Sequence, residues 1–213
     1  METTAYLQKK AESGCADAQY RMGHRLAVAR PRANDGIDQA MEYWRKAAKQ
    51  GHARAYLQLG HCHHFGDGVP VNMKKAIRLY ERAVERGNDE ALYRLGKIYL
   101  DGEGVKKAPW LATTYLWVAA DQGHDESQLQ LGYCLYYGIG FAKRDFDEAA
   151  RWYSRAAKQG NNVAQFNLAL CYREGDGVKK SHRWCRYWLE QAAAQKHKRS
   201  RQLLKKWFSP EEL

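Results

Sequence analysis

The stretch Trp152-Tyr153-Ser154-Arg155-Ala156-Ala157-Lys158-Gln159-Gly160 decides how this chain is read, because its last five residues also stand at Ala47–Gly51. Looser versions close at Gly87, after Ala83-Val84-Glu85-Arg86, and at Gly123, after Ala119-Ala120-Asp121-Gln122. With Gly14, these glycines recur every 36 or 37 residues, and one further step reaches Lys196, where the glycine is lost. Self-similarity at this period marks an array of small units, each burying one face against the next.

Further markers run in phase. Four residues after each glycine comes a small residue: Ala18, Ala55, Ala91, Ser127 and Ala164. Four later come Met22, Leu59, Leu95, Leu131 and Leu168, followed at once by Gly23, Gly60, Gly96, Gly132 and Ala169. A helix with small residues beside a large apolar one lets a second helix approach closely. Next come Gly66/Gly68, Gly102/Gly104, Gly138/Gly140 and Gly175/Gly177, pairs suited to a turn with positive φ. The first repeat lacks that pair and has a Pro31–Gly36 loop instead. In Phe146–Lys158 the apolar positions return at three and four, so the segment after each turn reads as a second helix. Each repeat is thus helix A, glycine turn, helix B and a closing glycine cap. The chain opens on an orphan helix B around Tyr6–Gly14 and ends on an orphan helix A, Lys198–Phe208, with a helix-start pattern at Ser209–Glu212.

The period, the Ala-x-x-x-Leu-Gly step, the Gly-x-Gly-Val turn (Gly66–Val69, Gly102–Val105, Gly175–Val178) and the Gln-Gly close resemble the Sel-one-like repeat (SLR) family, a branch of the tetratricopeptide-like α/α solenoids. The resemblance implies an all-α, right-handed α/α superhelical solenoid of five helix-turn-helix repeats with half-repeat caps. The expected layout is one SLR domain over 1–213: an N-terminal capping helix in 1–13, repeats at 14–50, 51–86, 87–122, 123–159 and 160–195, and a C-terminal capping helix and tail in 196–213. It also implies a non-enzymatic adaptor for protein–protein interaction. Many bacterial members act in signalling, envelope or secretion processes, or in host contact. Some cysteine-rich secreted members are linked to β-lactam or cell-wall chemistry, but Cys62 and Cys134 lack the partners within their repeats that such a pattern requires.

In related solenoids helix A lines the concave face. Counting each repeat's first glycine as position one, the fourth, seventh, eleventh and fourteenth positions form one helical stripe. The expected partner-binding residues on it are His24, Arg54, His61, His64, Tyr93, Lys97, Tyr133, Tyr136, Phe166 and Arg173. Tyrosine and arginine are frequent anchors in protein recognition. The competing reading of the seventh position is packing, since Tyr20, Leu57, Tyr93, Leu129 and Phe166 make it apolar in every repeat.

Net charge is +11, unevenly spread. Residues 179–206 hold ten Lys/Arg and the single acid Glu190. This basic pole comprises Lys179, Lys180, Arg183, Arg186, Lys198, Arg199, Arg201, Lys205 and Lys206, with Lys196. Trp184, Trp188, Trp207 and Phe208 are interleaved with it. It fits an acidic protein partner, nucleic acid or anionic lipid. The bland alternative is a solvated cap with core aromatics, Trp188 being grouped with the core positions of Trp44 and Trp152.

Other chemistry has little support. The 45% hydrophobic content is enough for a core and argues against disorder. The longest apolar run, Tyr115–Ala120, is far short of the roughly 20 residues of a membrane span. The first ten residues hold no apolar leader, so the expectation is a cytoplasmic protein, or a periplasmic one if a leader has been removed. The five cysteines cannot all pair and none has CxxC spacing, so they read as reduced packing residues. In His61-Cys62-His63-His64 consecutive side chains point about 100° apart, so only His61 and His64 share a face. No metal or cofactor is expected. No Gly-Lys-Ser/Thr follows a glycine pair, and no Gly-x-Ser-x-Gly occurs. Taken together, these features point to a non-enzymatic scaffold binding a protein or peptide on its concave face. The first alternative is a binder of an anionic polymer or acidic protein through the basic pole, the second a cell-wall or β-lactam enzyme.

Overall fold

The computed structural model describes residues 3–29 and 34–208, and twelve helices with no strand lie among them. The B helices are α1 (Thr4–Glu12), α3 (Asn34–Lys49), α5 (Met73–Val84), α7 (Pro109–Asp121), α9 (Phe146–Lys158) and α11 (His182–Ala194). The A helices are α2 (Ala16–Ala29), α4 (Ala53–Phe65), α6 (Asp89–Asp101), α8 (Asp125–Tyr137), α10 (Asn162–Glu174) and α12 (Lys198–Trp207). By contacts the chain falls into two compact units, Met1–Lys107 with α1–α6 and Ala108–Leu213 with α7–α12. Within each, helices pack on their neighbours in chain order.

Two expectations are corrected. The loop proposed for Pro31–Gly36 is partly helical: α3 already begins at Asn34, while Pro31–Ala33 lie outside the described residues, as does Ser209–Glu212. Trp188 shares a repeat position with Trp152 but not with Trp44, which stands one residue later in the register, beside Tyr80, Tyr153 and Leu189. Trp188 is only half-buried, whereas Trp152 at the same position is 2% exposed and Trp44 3%.

In three of the repeats that register position explains the glycine of helix A. A Cβ on Gly23 would lie 2.6 Å from the Trp44 indole nitrogen, on Gly60 2.5 Å from Tyr80, and on Gly132 2.8 Å from Tyr153. The glycine thus gives room for the B-helix aromatic ring to lie on the A-helix backbone. In the fifth repeat the B-helix residue is the smaller Leu189, and Ala169 takes the glycine's place in the same apolar cluster. Burying such a side chain contributes roughly 1.5–3 kcal/mol, and Tyr80 and Leu189 are fully buried.

The opening motif has its own bond. The glutamine before the closing glycine reaches back to the previous repeat: Gln50 donates to the Gly14 carbonyl at 2.9 Å, Gln159 to that of Gly123 at 2.9 Å, and Gln195 to that of Gly160 at 2.8 Å. Each also donates to a second, buried glutamine, Gln19, Gln128 or Gln165, which in turn donates to a B-helix carbonyl. In α12 the corresponding residue is Arg201, whose Nε donates to the Ala193 carbonyl at 3.2 Å. The glycine pairs close α4, α6, α8 and α10 in the left-handed region, as at Gly175 (φ 88°). The second glycine lies against the start of the preceding B helix, Gly177 facing the Phe146 carbonyl.

Candidate partner-binding surface

The outward stripe of the A helices runs through positions 4, 8, 11 and 15, so it shares only two positions with the expected one. In α8 it is Glu126, Gln130, Tyr133 and Tyr137; in α10 it is Val163, Asn167, Leu170 and Glu174. Positions 7 and 14 instead tilt into the neighbouring repeat. At position 7, Tyr20 stacks on His52 (4.7 Å) and Phe166 packs on His197 (4.9 Å). Phe166 is 6% exposed, and Tyr93 is half-buried beside Arg94.

In the second and fourth repeats position 14 meets the middle residue of the next Gly-x-Gly turn. His64 Nε2 lies 2.7 Å from a Glu103 carboxylate oxygen and its Nδ1 3.1 Å from the Tyr80 hydroxyl. The Tyr136 hydroxyl donates to Asp176, which together with burial raises its pKa. After the last repeat no such turn follows, and the Arg173 guanidinium lies 3.5 Å over the Trp207 ring instead. Three expected groove residues, His64, Tyr136 and Arg173, therefore tie repeats together.

On the outward stripe stand His24, Arg54, His61, Lys97 and Tyr133, in separate settings. His24 and Arg54 are exposed. The His61 ring meets Tyr80 edge-on at 5.7 Å, and burial first, then Arg94, lowers its pKa to about 4. Burial disfavours the Lys97 ammonium, yet Asp101 at 2.8 Å leaves its pKa raised. In α6 the stripe is paired off, Glu90 with Arg94 (2.7 Å) and Lys97 with Asp101. Tyr133 is 42% exposed and meets Tyr137 at 4.6 Å.

The nine expected basic-pole cations are all exposed. Arg186 pairs with Glu190 at 2.8 Å, and Arg199 lies 5.6 Å over the Phe166 ring. Helix α12 begins with Lys198 and Arg199 and has no acid in its first turn, where the helix dipole disfavours positive charge. Trp184 is half-exposed, but Tyr172 stacks on it and Tyr187 meets it edge-on. With Trp207 beneath Arg173, Trp188 edge-on to Tyr187 and Phe208 beneath Arg186, all four interleaved aromatics already have ring contacts. Sequence reasoning missed the helix-capping residues, His52, Asn88, His124, Asn161 and His197, whose side chains accept from the third backbone N–H of α4, α6, α8, α10 and α12 respectively. Their recurrence at position two was the available signal.

Among the described residues no group of three or more metal-ligating side chains converges, and no helix is long and apolar enough to cross a membrane. The Sel1 repeat pattern matches residues 16–52, 53–88, 89–124, 125–161 and 162–197. The chain belongs to the Sel1 repeat family. Sel1 repeat proteins are generally non-catalytic scaffolds for protein–protein interaction. The chain is similar to a Sel1 repeat protein from Oxalobacter formigenes, at 35% identity over 88% of this chain and 74% of that one, with a TM-score of 0.77. It is similar to c5321, a protective antigen of uropathogenic Escherichia coli with an SLR fold, at 27% identity and a TM-score of 0.69, covering 98% of this chain but 53% of that one. The fold is shared with a sel1 repeat protein from Klebsiella pneumoniae, at 19% identity over 96% of this chain and 99% of that one, with a TM-score of 0.60. A comparison with curated proteins found no match.

Proposed function

We propose that this Sel1 repeat protein is a non-catalytic scaffold that holds a protein partner on the A-helix face of its second unit, a face that is concave in related solenoids. The observation that carries this is the alignment of outward stripes on α8, α10 and α12. Tyr133, Tyr137, Val163 and Leu170 give a part-exposed apolar centre, and Arg199 and Lys206 occupy the fourth and eleventh positions of α12 beside it. Rigid aromatic and branched side chains beside cations suit an extended segment or helix carrying apolar groups and carboxylates. The uncompensated cations in the first turn of α12 cost helix stability and favour the acidic partner. Nucleic acid is the weaker reading, because base stacking needs free ring faces and Trp184 and Trp207 each have one covered.

The test is affinity capture from source cells with the native chain and with a Tyr133→Asp/Leu170→Asp variant, each washed at low and high salt. One stoichiometric protein held by the native chain at high salt and lost with the variant supports the proposal. A protein held equally by both, or nucleic acid alone that elutes at high salt, overturns it.

A further inference from the structure

The repeat supplies an internal control for the solvent side of the B helices. Counting back from each closing glycine, the outward positions are 13, 9, 6 and 5 residues before it. In α5 these are Lys74, Arg78, Glu81 and Arg82; in α9 they are Asp147, Arg151, Ser154 and Arg155. In α7 the same positions are Trp110, Thr114, Trp117 and Val118. Trp110 is 67% exposed, Trp117 42% and Val118 43%. The Thr114 hydroxyl donates to the Trp110 carbonyl at 3.0 Å, so the stripe's one polar side chain is bonded to its own helix. Neither the fold nor the repeat pattern requires an apolar stripe here, since helices at the same place elsewhere in the chain keep charges. Contiguous exposed apolar surface is a common mark of an interaction site, and the stripe is the place on the B helices where charges give way to it.

The flank names the occupant. The Trp117 ring meets Trp152 of α9 edge-on at 5.6 Å, and the Arg155 guanidinium lies 4.3 Å over the other ring of that pair, Trp152. Arg151, Arg155 and Lys158 follow one another at four and three residues along α9, all exposed. Of these, Arg151 pairs with Glu148 at 3.0 Å. A tryptophan stripe bordered by a row of cations complements a helix with an apolar face and an acidic edge. A second copy fits poorly. It would bring together two chains of net charge +11, which repel one another, whereas an acidic helix is attracted to the cationic row.

We propose that the outward face of α7, with the cationic row of α9 beside it, docks an acidic amphipathic helix of another protein. This surface is carried by B helices, apart from the A-helix face proposed above, and would let the chain join two partners.

The test uses the full chain and two labelled helical peptides with the same apolar face, one with glutamates along its edge and one with lysines there, read by fluorescence anisotropy. The acidic peptide is expected to bind at least about tenfold more tightly than the lysine peptide, equivalent to roughly 1.4 kcal/mol. Trp110→Glu is expected to weaken the acidic peptide about tenfold or more, and Lys158→Glu to reduce the preference for it. Both positions are exposed, and circular dichroism confirms that each variant is folded. Tyr133→Asp/Leu170→Asp should leave peptide binding unchanged, which separates this proposal from the previous one. No binding, equal binding of both peptides, or an affinity indifferent to Trp110→Glu overturns it. So does a concentration-dependent dimer lost in Trp110→Glu, which assigns the stripe to a second copy. Co-sedimentation with phosphatidylserine vesicles that Trp110→Glu abolishes assigns it to lipid instead.

Discussion

The fit between Gly132 and Tyr153 gives a prediction whose sign depends on two opposed effects. Glycine inside a helix costs about 1 kcal/mol relative to alanine, so by propensity alone Gly132→Ala should stabilise α8. The added Cβ, however, would stand 2.8 Å from Tyr153 Cδ1 and Cε1 and 3.2 Å from the Ala149 carbonyl oxygen. Carbon atoms prefer about 3.5–4.0 Å. The ring has little room to retreat, because Tyr153 is 3% exposed among Trp152, Ala156 and Leu168. Overpacking of this kind costs about 1–3 kcal/mol. The clash outweighs the propensity gain, and a net loss of up to about 2 kcal/mol follows. Tyr153→Leu alone leaves a cavity and should cost about 2 kcal/mol or more. The double variant recreates the Ala169/Leu189 pair of the fifth repeat, so its loss should be smaller than the sum of the two by about 1 kcal/mol or more. Urea unfolding followed by circular dichroism measures this. With a slope of about 2–3 kcal/mol per molar, the single glycine change moves the midpoint by about 0.5 M. Additive losses, or a midpoint unmoved by Gly132→Ala, would refute the account of why helix A carries glycine here.

Other outcomes follow from the same packing. Ala91 is fully buried, and Ala91→Leu should cost about 1–3 kcal/mol by overpacking; an unchanged thermal midpoint would show that helix A has room there. Burial pushes the Cys62 and Cys171 thiols up to about 11 and about 12, while Cys15 is exposed. A thiol reagent at neutral pH should therefore label Cys15 alone in the native protein and all five cysteines after unfolding, and fast native labelling of a second thiol would contradict the packing. His61 titrates at about 4 in the fold and at 6.5 in an open chain. Folding thus favours its neutral form, and the stability this contributes is complete above about pH 6.5 and lost as the pH falls toward 4. With solvent screening allowed for, native stability should drop by about 1–2 kcal/mol across that window. His61→Gln should remove that part of the slope, and an identical pH profile would show that His61 is solvated.

The recurring glycines, small residues and apolar steps made the helix pairs legible, because each marker is a local demand of backbone conformation or close approach. Helix α9 begins and ends where the periodicity places it, at Phe146 and Lys158. Glycine at position ten could be read from sequence, but its aromatic partner on helix B could not, since the two lie some twenty residues apart and meet only when the helices cross. The same holds for the partner surface. A stripe at positions 4, 7, 11 and 14 and one at 4, 8, 11 and 15 are equally good helical spacings. The rotation of each A helix against its neighbour selects the second, turning His64, Tyr136 and Arg173 toward the next repeat and Tyr137 and Phe65 toward solvent. The apolar stripe of α7 was present in the sequence as Trp110, Trp117 and Val118, yet apolar residues on a helix usually signal core. By itself the sequence determined the repeat, the helix pairs and the uneven charge, because those follow from local chemistry. Only the tertiary structure decided which faces are spent on packing and which remain open, because burial depends on how neighbouring helices are turned.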